Sequence, residues 1–335
     1  METNHTKKFT MFDVCVVGHV THDVNTYDGT VHEPTPGGAA FYASMAYRSL
    51  GLKTAVVTRI AEVDRTDLLD EMLGAGIEVI CLPSPHSTFF HNIYPSSDLD
   101  IRLQKVTALA AAFEPGDIAG VKARAFHFGP LTRGDLPVSL IEAAADTGAY
   151  VALGVQGFLR VVRDGEVVAV PWPDLRESLR RVDTCQGDVE ETCLLAGESE
   201  VFRAMANLAE MGPREVLTTE GGHGSYLFWR GRMVKIPSLA PPRVVDATGC
   251  GDTYLAGYVA RRLETNDAHQ SACFGAVLAS LKLESAGPFR GQTADVLDRL
   301  PDLAGTAKFG RGSARHQQPD AEPKDRTTKN TETML

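Results

Sequence analysis

The first third of the chain alternates short apolar runs with segments of helical spacing. Residues 12–17 (FDVCVV) are apolar and rich in β-branched side chains, and the run stops at Gly18, which is typical of a buried strand. The runs that follow predict a helix over 37–50, a strand over 54–59, a helix over 67–73 and a strand over 78–81. Strands that alternate with helices predict an α/β fold with parallel strands joined by crossover helices.

The rest of the chain continues this pattern with two interruptions. Residues 88–103 alternate apolar and polar side chains around a Pro-Ser-Ser-Asp turn, which predicts an antiparallel hairpin. A second hairpin is predicted from residues 225–228 and 233–236, with its turn at Arg230-Gly231. The remaining predicted elements are strands at 125–128, 150–155, near Thr184 and at 216–219, and a helix over 268–283. A hairpin inside a βα chain is a candidate lid over a binding site.

Composition sets broad limits on the protein. A chain of 335 residues that is 43% hydrophobic and 23% charged can form one large domain or two smaller ones. Its net charge of −10 argues against a general binder of nucleic acid or of anionic membranes. Residues 1–10 are predicted to be a polar lead-in, residues 11–304 the folded domain, and residues 305–335, which are nearly free of apolar side chains, a disordered tail.

The six cysteines are scattered along the chain, with no C-x-x-C pair and no histidine at zinc-ligand spacing. Reduced, mostly buried thiols in a cytoplasmic protein are therefore expected. No apolar run approaches the roughly 18 residues of a membrane span, and the N-terminus lacks the apolar region of a signal peptide.

The segment DATGCGDTYLAG at residues 246–257 carries the strongest chemical signal. We predict a strand at Val244-Val245, a turn over 246–251 and then a helix, because apolar residues from Leu255 onward recur at helical spacing. The backbone amides of Gly249, Cys250 and Gly251 would then face outward at a helix N-terminus. Such amides form a ready site for an anion, and a bulky oxyanion can approach glycines closely.

Asp252, in the first turn of this helix, has two interpretations. It could be a structural residue favoured by the helix dipole. It could instead be a general base that takes a proton from a substrate hydroxyl while the amides stabilise a phosphoryl group in transfer. The chain contains no P-loop motif, no dinucleotide-binding G-x-G-x-x-G after its first strand, and no protein-kinase H-R-D and D-F-G set.

DATGCGDTYLAGYV resembles the C-terminal signature of the ribokinase-like (PfkB) carbohydrate kinases, roughly D-T-T-G-A-G-D-x-F-x-x-G. The resemblance implies a three-layer α/β/α sandwich with a mostly parallel central sheet and a small β lid, with lid strands within 24–36 and 88–104. It also implies an ATP-dependent kinase with Asp252 as the base and with Gly249, Cys250 and Gly251 as the anion hole.

Further motifs extend the resemblance over residues 12–290. Asp23 closes a G-x-x-x-x-D pattern that begins at Gly18, and the resemblance implies that it holds substrate hydroxyls beside the di-glycine Gly37-Gly38. The family's N-x-x-E, which orders Mg²⁺ through water, is matched by Asp188 and Glu191, with aspartate in place of asparagine. The nucleotide-side motif T-x-G-x-x-G is matched by Thr219, Gly221 and Gly224.

Departures from the family pattern bear on the substrate. Thr21 replaces an asparagine found in ribokinases, and Tyr42 is expected at the pocket wall, so ribose is disfavoured. Gln156 and Arg160 follow a strand at the ligand-facing edge and are candidate substrate contacts, although a surface role for Arg160 stays open. GGAAFYAS, FHFGPL and VQGFLR resemble the myo-inositol kinase-like subgroup, which implies a cyclic polyol or hexose.

Several expectations depend on the resemblance alone. It implies ATP and Mg²⁺, a monovalent cation such as K⁺ near Asp246, and a homodimer formed through the lid. A nucleoside kinase of the same family is the alternative enzyme, and a non-catalytic ligand-binding relative is the alternative outside enzymes. Cys250 stands where the family usually has alanine, and its place at a helix N-terminus predicts a stabilised, reactive thiolate.

Overall fold

The computed structural model of the chain describes residues 11–27, 29–94 and 103–306. Within these residues the strands are β1 Met11–Val17, β2 Thr21–Tyr27, β3 Thr30–Val31, β4 Thr35–Gly37, β5 Thr54–Ile60, β6 Glu78–Pro83, β7 Thr88–Tyr94, β8 Leu103–Ala108, β9 Lys122–Phe128, β10 Tyr150–Gly154, β11 Arg160–Arg163, β12 Glu166–Ala169, β13 Thr184–Asp188, β14 Glu215–Thr219, β15 Ser225–Trp229 and β16 Arg232–Ile236. The α-helices are α1 Ala39–Ser49, α2 Arg65–Gly74, α3 Val138–Asp146, α4 Leu175–Leu179, α5 Val189–Ala196, α6 Val201–Ala209, α7 Cys250–Arg262, α8 Ala268–Leu283 and α9 Thr293–Thr306.

The central sheet has the strand order β16-β15-β14-β13-β10-β9-β1-β5-β6, and its strands from β14 to β6 are parallel. In β1, residues 14–17 are fully buried, with alternate side chains in two separate apolar clusters on the two faces of the sheet. A continuous apolar run is what a strand covered on both faces requires. The structure therefore confirms the α/β class and the parallel strands predicted from the sequence.

One edge of this sheet is the predicted antiparallel hairpin, formed by β15 and β16. Its two turn residues, Arg230 and Gly231, both have positive φ, +51° and +72°. That conformation matches the twist of a two-residue hairpin.

A second sheet has the order β11-β12-β8-β7-β2-β3, and β4 also pairs with β2. The antiparallel pairing of β7 with β8 confirms the hairpin predicted over 88–103, while its predicted turn at 95–98 lies outside the described residues. The hairpin β11–β12 was not predicted. It turns at Asp164-Gly165, both with positive φ, and extends the second sheet by two strands.

One predicted strand is wrong. Val244 and Val245 belong to a loop, and they are 59% and 41% exposed. The backbone amide of Val245 donates to the carbonyl of Leu283 at the end of α8, so the segment is fixed to a helix end and not to a sheet.

The helices predicted at 37–50, 67–73 and 268–283 correspond to α1, α2 and α8. Helix α9 continues to Thr306, two residues past the predicted domain end, and the lead-in 1–10 and the tail from 307 lie outside the described residues. In the described part of the chain, no helix has both the length and the apolarity to cross a bilayer.

A buried ion pair joins the sheet to α7 at the end of β14 remote from its carboxyl edge. Glu215 is 3% exposed and accepts hydrogen bonds from Arg262 at 2.7 Å, Tyr258 at 2.6 Å and Tyr150 at 2.7 Å. Burial raises the pKa of Glu215, but the hydrogen bonds from Arg262 and the two tyrosines outweigh it and hold the pKa below its usual value. The carboxylate is thus ionised and fully engaged.

Glu215→Ala should lower the free energy of unfolding by about 3–5 kcal/mol, because it leaves the Arg262 guanidinium buried without its partner. Urea denaturation followed by circular dichroism measures this. Glu264→Ala is the matched control, since Glu264, just past the end of α7, pairs with Arg261 at 2.7 Å but is 56% exposed. The control should change stability by less than about 1 kcal/mol. Equal losses in the two variants would contradict a special role for the buried pair.

Candidate active site

A cleft lies at the carboxyl ends of the parallel strands, between the central sheet and the second sheet. Its cavity has a volume of ≈540 Å³. Ligands of open α/β sheets bind at this edge. The cavity collects most of the residues singled out in the sequence, namely Thr21, Asp23, Gly38, Tyr42, Gln156, Arg160, Asp188, Glu191, Thr219, Asp246, Gly249, Cys250, Gly251 and Asp252.

Three predicted residues lie next to the cavity and do not line it. Gly221 and Gly224 belong to the loop between β14 and β15, which follows the lining residue Thr219. Gly37 ends β4, and a side chain there would overlap the Asp23 carboxylate. The missing side chain at Gly37 therefore leaves room for the Asp23 carboxylate. It also allows β4 to pair closely with β2.

Asp23 is held in place at one end of the cavity. It is 9% exposed, and the hydroxyl of the fully buried Thr21 donates to its Oδ1 at 2.6 Å. Burial and a fixed donor orient the carboxylate for hydroxyl groups of a ligand. Its role as a substrate contact stays a prediction.

At the other end, the turn 246–251 leads into α7, with Gly249 as the N-cap residue. Gly249 has a φ of +72°, and a side chain there would overlap the ring of Tyr42, so only glycine suits this position. The amide of Cys250 already donates to the carbonyl of Ala247 at 3.2 Å. Within the described residues, the amides of Gly249, Gly251 and Asp252 have no protein acceptor. The amides of Gly249, Gly251 and Asp252 are thus available to an anion, while the anion hole predicted from Gly249, Cys250 and Gly251 stays a prediction.

Asp252 stands in the first turn of α7, facing the same cavity. Burial, with a further contribution from the charge of Glu191, raises its pKa from 3.8 to about 6, against the opposing effect of Arg160. A carboxylate with a raised pKa beside a set of open amides suits a general base near neutral pH.

Asp188 and Glu191 form a capping box at the start of α5. Glu191 N donates to Asp188 Oδ1 at 2.7 Å, and Asp188 N donates to Glu191 Oε2 at 3.0 Å. Burial and the charge of Asp188 raise the pKa of Glu191, while Arg160, 3.9 Å away, opposes the shift. The box uses one oxygen of each carboxylate. In the described part of the chain, no group of three or more His, Cys, Asp or Glu residues is arranged to hold a metal.

The predicted Cys250 thiolate is wrong. Burial raises the pKa of this thiol to about 12, although Lys282 lowers it and nearby carboxylates add to the rise. The Sγ atom points towards the carbonyl of Ala279 at 3.9 Å. The thiol is therefore protonated and packs against α8, because the cost of burying a charged sulfur exceeds the stabilisation that the helix N-terminus offers.

Comparison with known proteins agrees with this geometry. The family model described as pfkB family carbohydrate kinase matches residues 141–293. A solved structure titled as a pyrophosphate-dependent kinase in the ribokinase family, complexed with a pyrophosphate analog and myo-inositol, superposes with a TM-score of 0.76 and 25% identity. That match covers 85% of this chain and 99% of the other. The protein is thus a kinase whose residues 141–293 are similar to the pfkB family and whose fold is that of ribokinase-like kinases.

Two curated relatives of this kinase differ in their acceptors. Inositol 3-kinase of Arabidopsis thaliana is 25% identical over 290 residues, which are 82% of this chain and 74% of the relative. Cytidine kinase of Thermococcus kodakarensis is 24% identical over 260 residues, 75% of this chain and 88% of the relative. The activity of the family is that of sugar, polyol or nucleoside kinases, and these matches leave the acceptor open within that range.

Three polar residues that line the cavity, and one buried residue behind its wall, lie outside the motifs predicted from the sequence. Gln186, 8% exposed in β13, and Gln104 in β8 both line the cavity, and Gln104 accepts a hydrogen bond from Arg160 at 3.3 Å. Tyr27 lines it from the second sheet. Lys282, fully buried in α8, donates to Asp246 Oδ2 at 2.8 Å. The available signal was a polar residue inside an otherwise apolar run, which is clearest for Lys282.

Gly249→Ala should lower kcat of the kinase by about 10²–10³, the loss typical when oxyanion donors are displaced, because the added methyl group must push Tyr42 or the turn aside. Steady-state kinetics with a saturating donor measures this. Gly231→Ala is the matched control, since Gly231 has the same φ of +72° but nothing within 4 Å of an added Cβ. The control should retain kcat and lose only stability, by about 1 kcal/mol or slightly more. Equal kcat values for Gly249→Ala and the control would contradict the packing argument.

Proposed function

We propose that the kinase transfers the terminal phosphoryl group of ATP to a hydroxyl of a cyclic polyol or sugar, with myo-inositol as the leading candidate. The single observation that carries the transfer chemistry is Asp252, a carboxylate with a pKa of about 6 at the N-terminus of α7. It shares one cavity with Asp23, the proposed acceptor contact, and with the open amides of Gly249 and Gly251.

In the proposed reaction, Asp23 accepts hydrogen bonds from acceptor hydroxyls, and Asp252 takes the proton of the attacking hydroxyl. The amides of Gly249, Gly251 and Asp252 donate to oxygens of the phosphoryl group as negative charge develops there. Phosphoryl transfer needs little beyond this positioning and charge stabilisation. The second sheet, which covers the cavity, would exclude water as a competing acceptor.

The carboxylates fit a water-mediated Mg²⁺ site. Mg²⁺ in kinases keeps several waters and binds through one or two carboxylates together with the phosphates of the substrate. The capping box leaves Oδ2 of Asp188 and Oε1 of Glu191 outside its own hydrogen bonds. These two residues would hold the ion, which neutralises phosphate charge when bound.

The choice of a polyol depends on the side chains near Asp23. Gln104, Gln156, Gln186 and Arg160 supply hydrogen-bonding groups suited to several hydroxyls on one ring. Phe90 of the second sheet lines the cavity but is only 4% exposed, so it presents little ring surface on which a nucleobase could stack. A nucleoside is the second candidate because Tyr27 lines the same region and the cytidine kinase is a relative.

The choice of ATP over pyrophosphate depends on Val244 and Val245. These two apolar side chains are 59% and 41% exposed directly before the anion-hole turn, and Val245 lines the cavity. Exposed apolar surface at a binding site is matched to an apolar ligand group. ATP has a purine to place there, whereas inorganic pyrophosphate has no apolar part.

Activity should fall as the pH drops through about 6, because Asp252 must be deprotonated to act as a base and its pKa is about 6. The pH dependence of kcat/KM measures this limb for the free enzyme. Asp252→Asn should lower kcat by about 10²–10⁴ and remove the limb. Asp267→Asn is the control. It changes another carboxylate at a helix N-terminus, asparagine can still cap α8, and kcat and the acidic limb should both stay unchanged. A loss of less than tenfold in Asp252→Asn would exclude general-base catalysis by this residue.

Turnover should be highest with ATP and a cyclic polyol when donors and acceptors are tested in pairs. A coupled assay for ADP, or for phosphate esters when pyrophosphate is the donor, would compare myo-inositol, hexoses, ribose, cytidine and adenosine. A nucleoside that exceeds every polyol in kcat/KM would replace the proposed acceptor. Pyrophosphate exceeding ATP would replace the proposed donor while leaving the roles of Asp23 and Asp252 intact.

A further inference from the structure

The ammonium group of Lys282 lies against the anion-hole turn. Lys282 is fully buried near the C-terminal end of α8. Its Nζ donates to the backbone carbonyl of Asp246 at 2.7 Å and to Asp246 Oδ2 at 2.8 Å. A buried ammonium group that donates hydrogen bonds to two oxygens of one residue is strongly fixed in place.

The other contacts of this cation also lead to the turn. Nζ lies 5.6 Å from the centroid of the Tyr42 ring, and that ring packs against Gly249. Asp246 itself accepts hydrogen bonds from Thr248 N at 2.9 Å and from Gly287 N at 3.2 Å. Lys282 therefore acts on both ends of the turn, through Asp246 at its start and through Tyr42 at Gly249.

A monovalent metal ion does not fit at Asp246 beside this lysine. The resemblance to the family implied K⁺ near Asp246, whose carbonyl and carboxylate oxygens are the available ligands. The ammonium group already occupies hydrogen-bonding positions on both, and a second cation on the same oxygens would meet a like charge at close range. The side chain and the ion are alternatives for one position.

We propose that the Lys282 ammonium is a built-in cation that takes the place of a monovalent metal ion at the anion-hole turn, so that the kinase requires no K⁺. Lys282 is a positioning residue in this proposal, since it acts through Asp246 and Tyr42 and not on the substrate. A tethered cation is present at every turnover, whereas a free ion must bind first.

The first test uses the wild-type enzyme with whichever donor and acceptor support turnover, so it depends on kinase activity and not on the identity of the acceptor. Assays in tetramethylammonium chloride at constant ionic strength, with and without KCl, should give kcat values within twofold of each other. Activation by KCl well beyond twofold would overturn the proposal. A complete absence of turnover with all donors and acceptors would instead refute the proposed function.

The second test removes the ammonium group and supplies a cation from solution. Lys282→Ala should lose about tenfold or more in kcat without K⁺, because the turn that aims the anion-hole amides loses its cation. KCl, ammonium chloride or methylammonium chloride should restore much of the loss. Lys53→Met is the control, since Lys53 also lies 5.6 Å from an aromatic centroid, that of Phe12, but is exposed. It should show wild-type kcat and no cation effect.

Two outcomes with Lys282→Ala would overturn the proposal. One is wild-type kcat in the potassium-free buffer, and the other is a loss that none of the added cations restores. Should Lys282→Ala not fold, the wild-type comparison still decides whether K⁺ is required.

Thermal unfolding gives a readout independent of turnover. The Tm of the wild type should be the same in KCl and in tetramethylammonium chloride, while that of Lys282→Ala should rise in KCl, because a ligand that binds only the folded state stabilises it. A wild-type Tm raised specifically by KCl would indicate an ion site that Lys282 does not fill, and would overturn the proposal.

Discussion

The ring of Tyr42 packs against the α-carbon of Gly249, and this contact joins the two helix N-termini on which the site is built. Tyr42 lies in the first turns of α1, directly after the Gly37-Gly38 segment that borders Asp23. Gly249 is the N-cap of α7, which carries Asp252. Because α1 and α7 pack through fully or nearly fully buried residues of one core cluster, the proposed acceptor site beside Asp23 and the proposed phosphoryl site at the start of α7 would have a fixed separation. Such rigidity is what in-line transfer between two bound substrates requires.

Charge in the cavity is balanced locally, although the chain as a whole carries a net charge of −10. Asp188, Glu191 and Asp252 face one another across the phosphoryl end, and their mutual repulsion contributes to the raised pKa values of Glu191 and Asp252. Arg160 offsets part of this repulsion, and Lys282 neutralises Asp246. The negative charge that Arg160 does not offset, on Asp188, Glu191 and Asp252, lies where Mg²⁺ and the phosphoryl group are proposed to bind.

Hydrophobic periodicity predicted most of the central sheet and its helices, because it depends on local spacing. The glycines and Asp252 of the turn were also visible in sequence. Lys282 stands out in sequence only as a polar residue in an apolar run; its contact with Asp246 was not predictable, because the two are 36 positions apart and a lone lysine near a helix end usually serves the helix dipole. Val244-Val245 was mistaken for a strand because apolar residues exposed at a binding cavity resemble those of a sheet. The Asp164-Gly165 dipeptide is a typical hairpin turn, so the hairpin β11–β12 was predictable from the sequence.

Arg160 couples the second sheet electrostatically to Asp252. It is the first residue of β11, so the cation that opposes the rise in the pKa of Asp252 is carried by the covering sheet. Displacement of that sheet from the cavity would remove positive potential from Asp252 and would also let water reach the carboxylate, and these two changes shift its pKa in opposite directions. Because burial has the larger influence, Asp252 would be less basic in an open cavity and more basic in a covered one. Closure would thus raise the basicity of Asp252 as well as exclude water, which reduces wasteful hydrolysis of the phosphoryl donor.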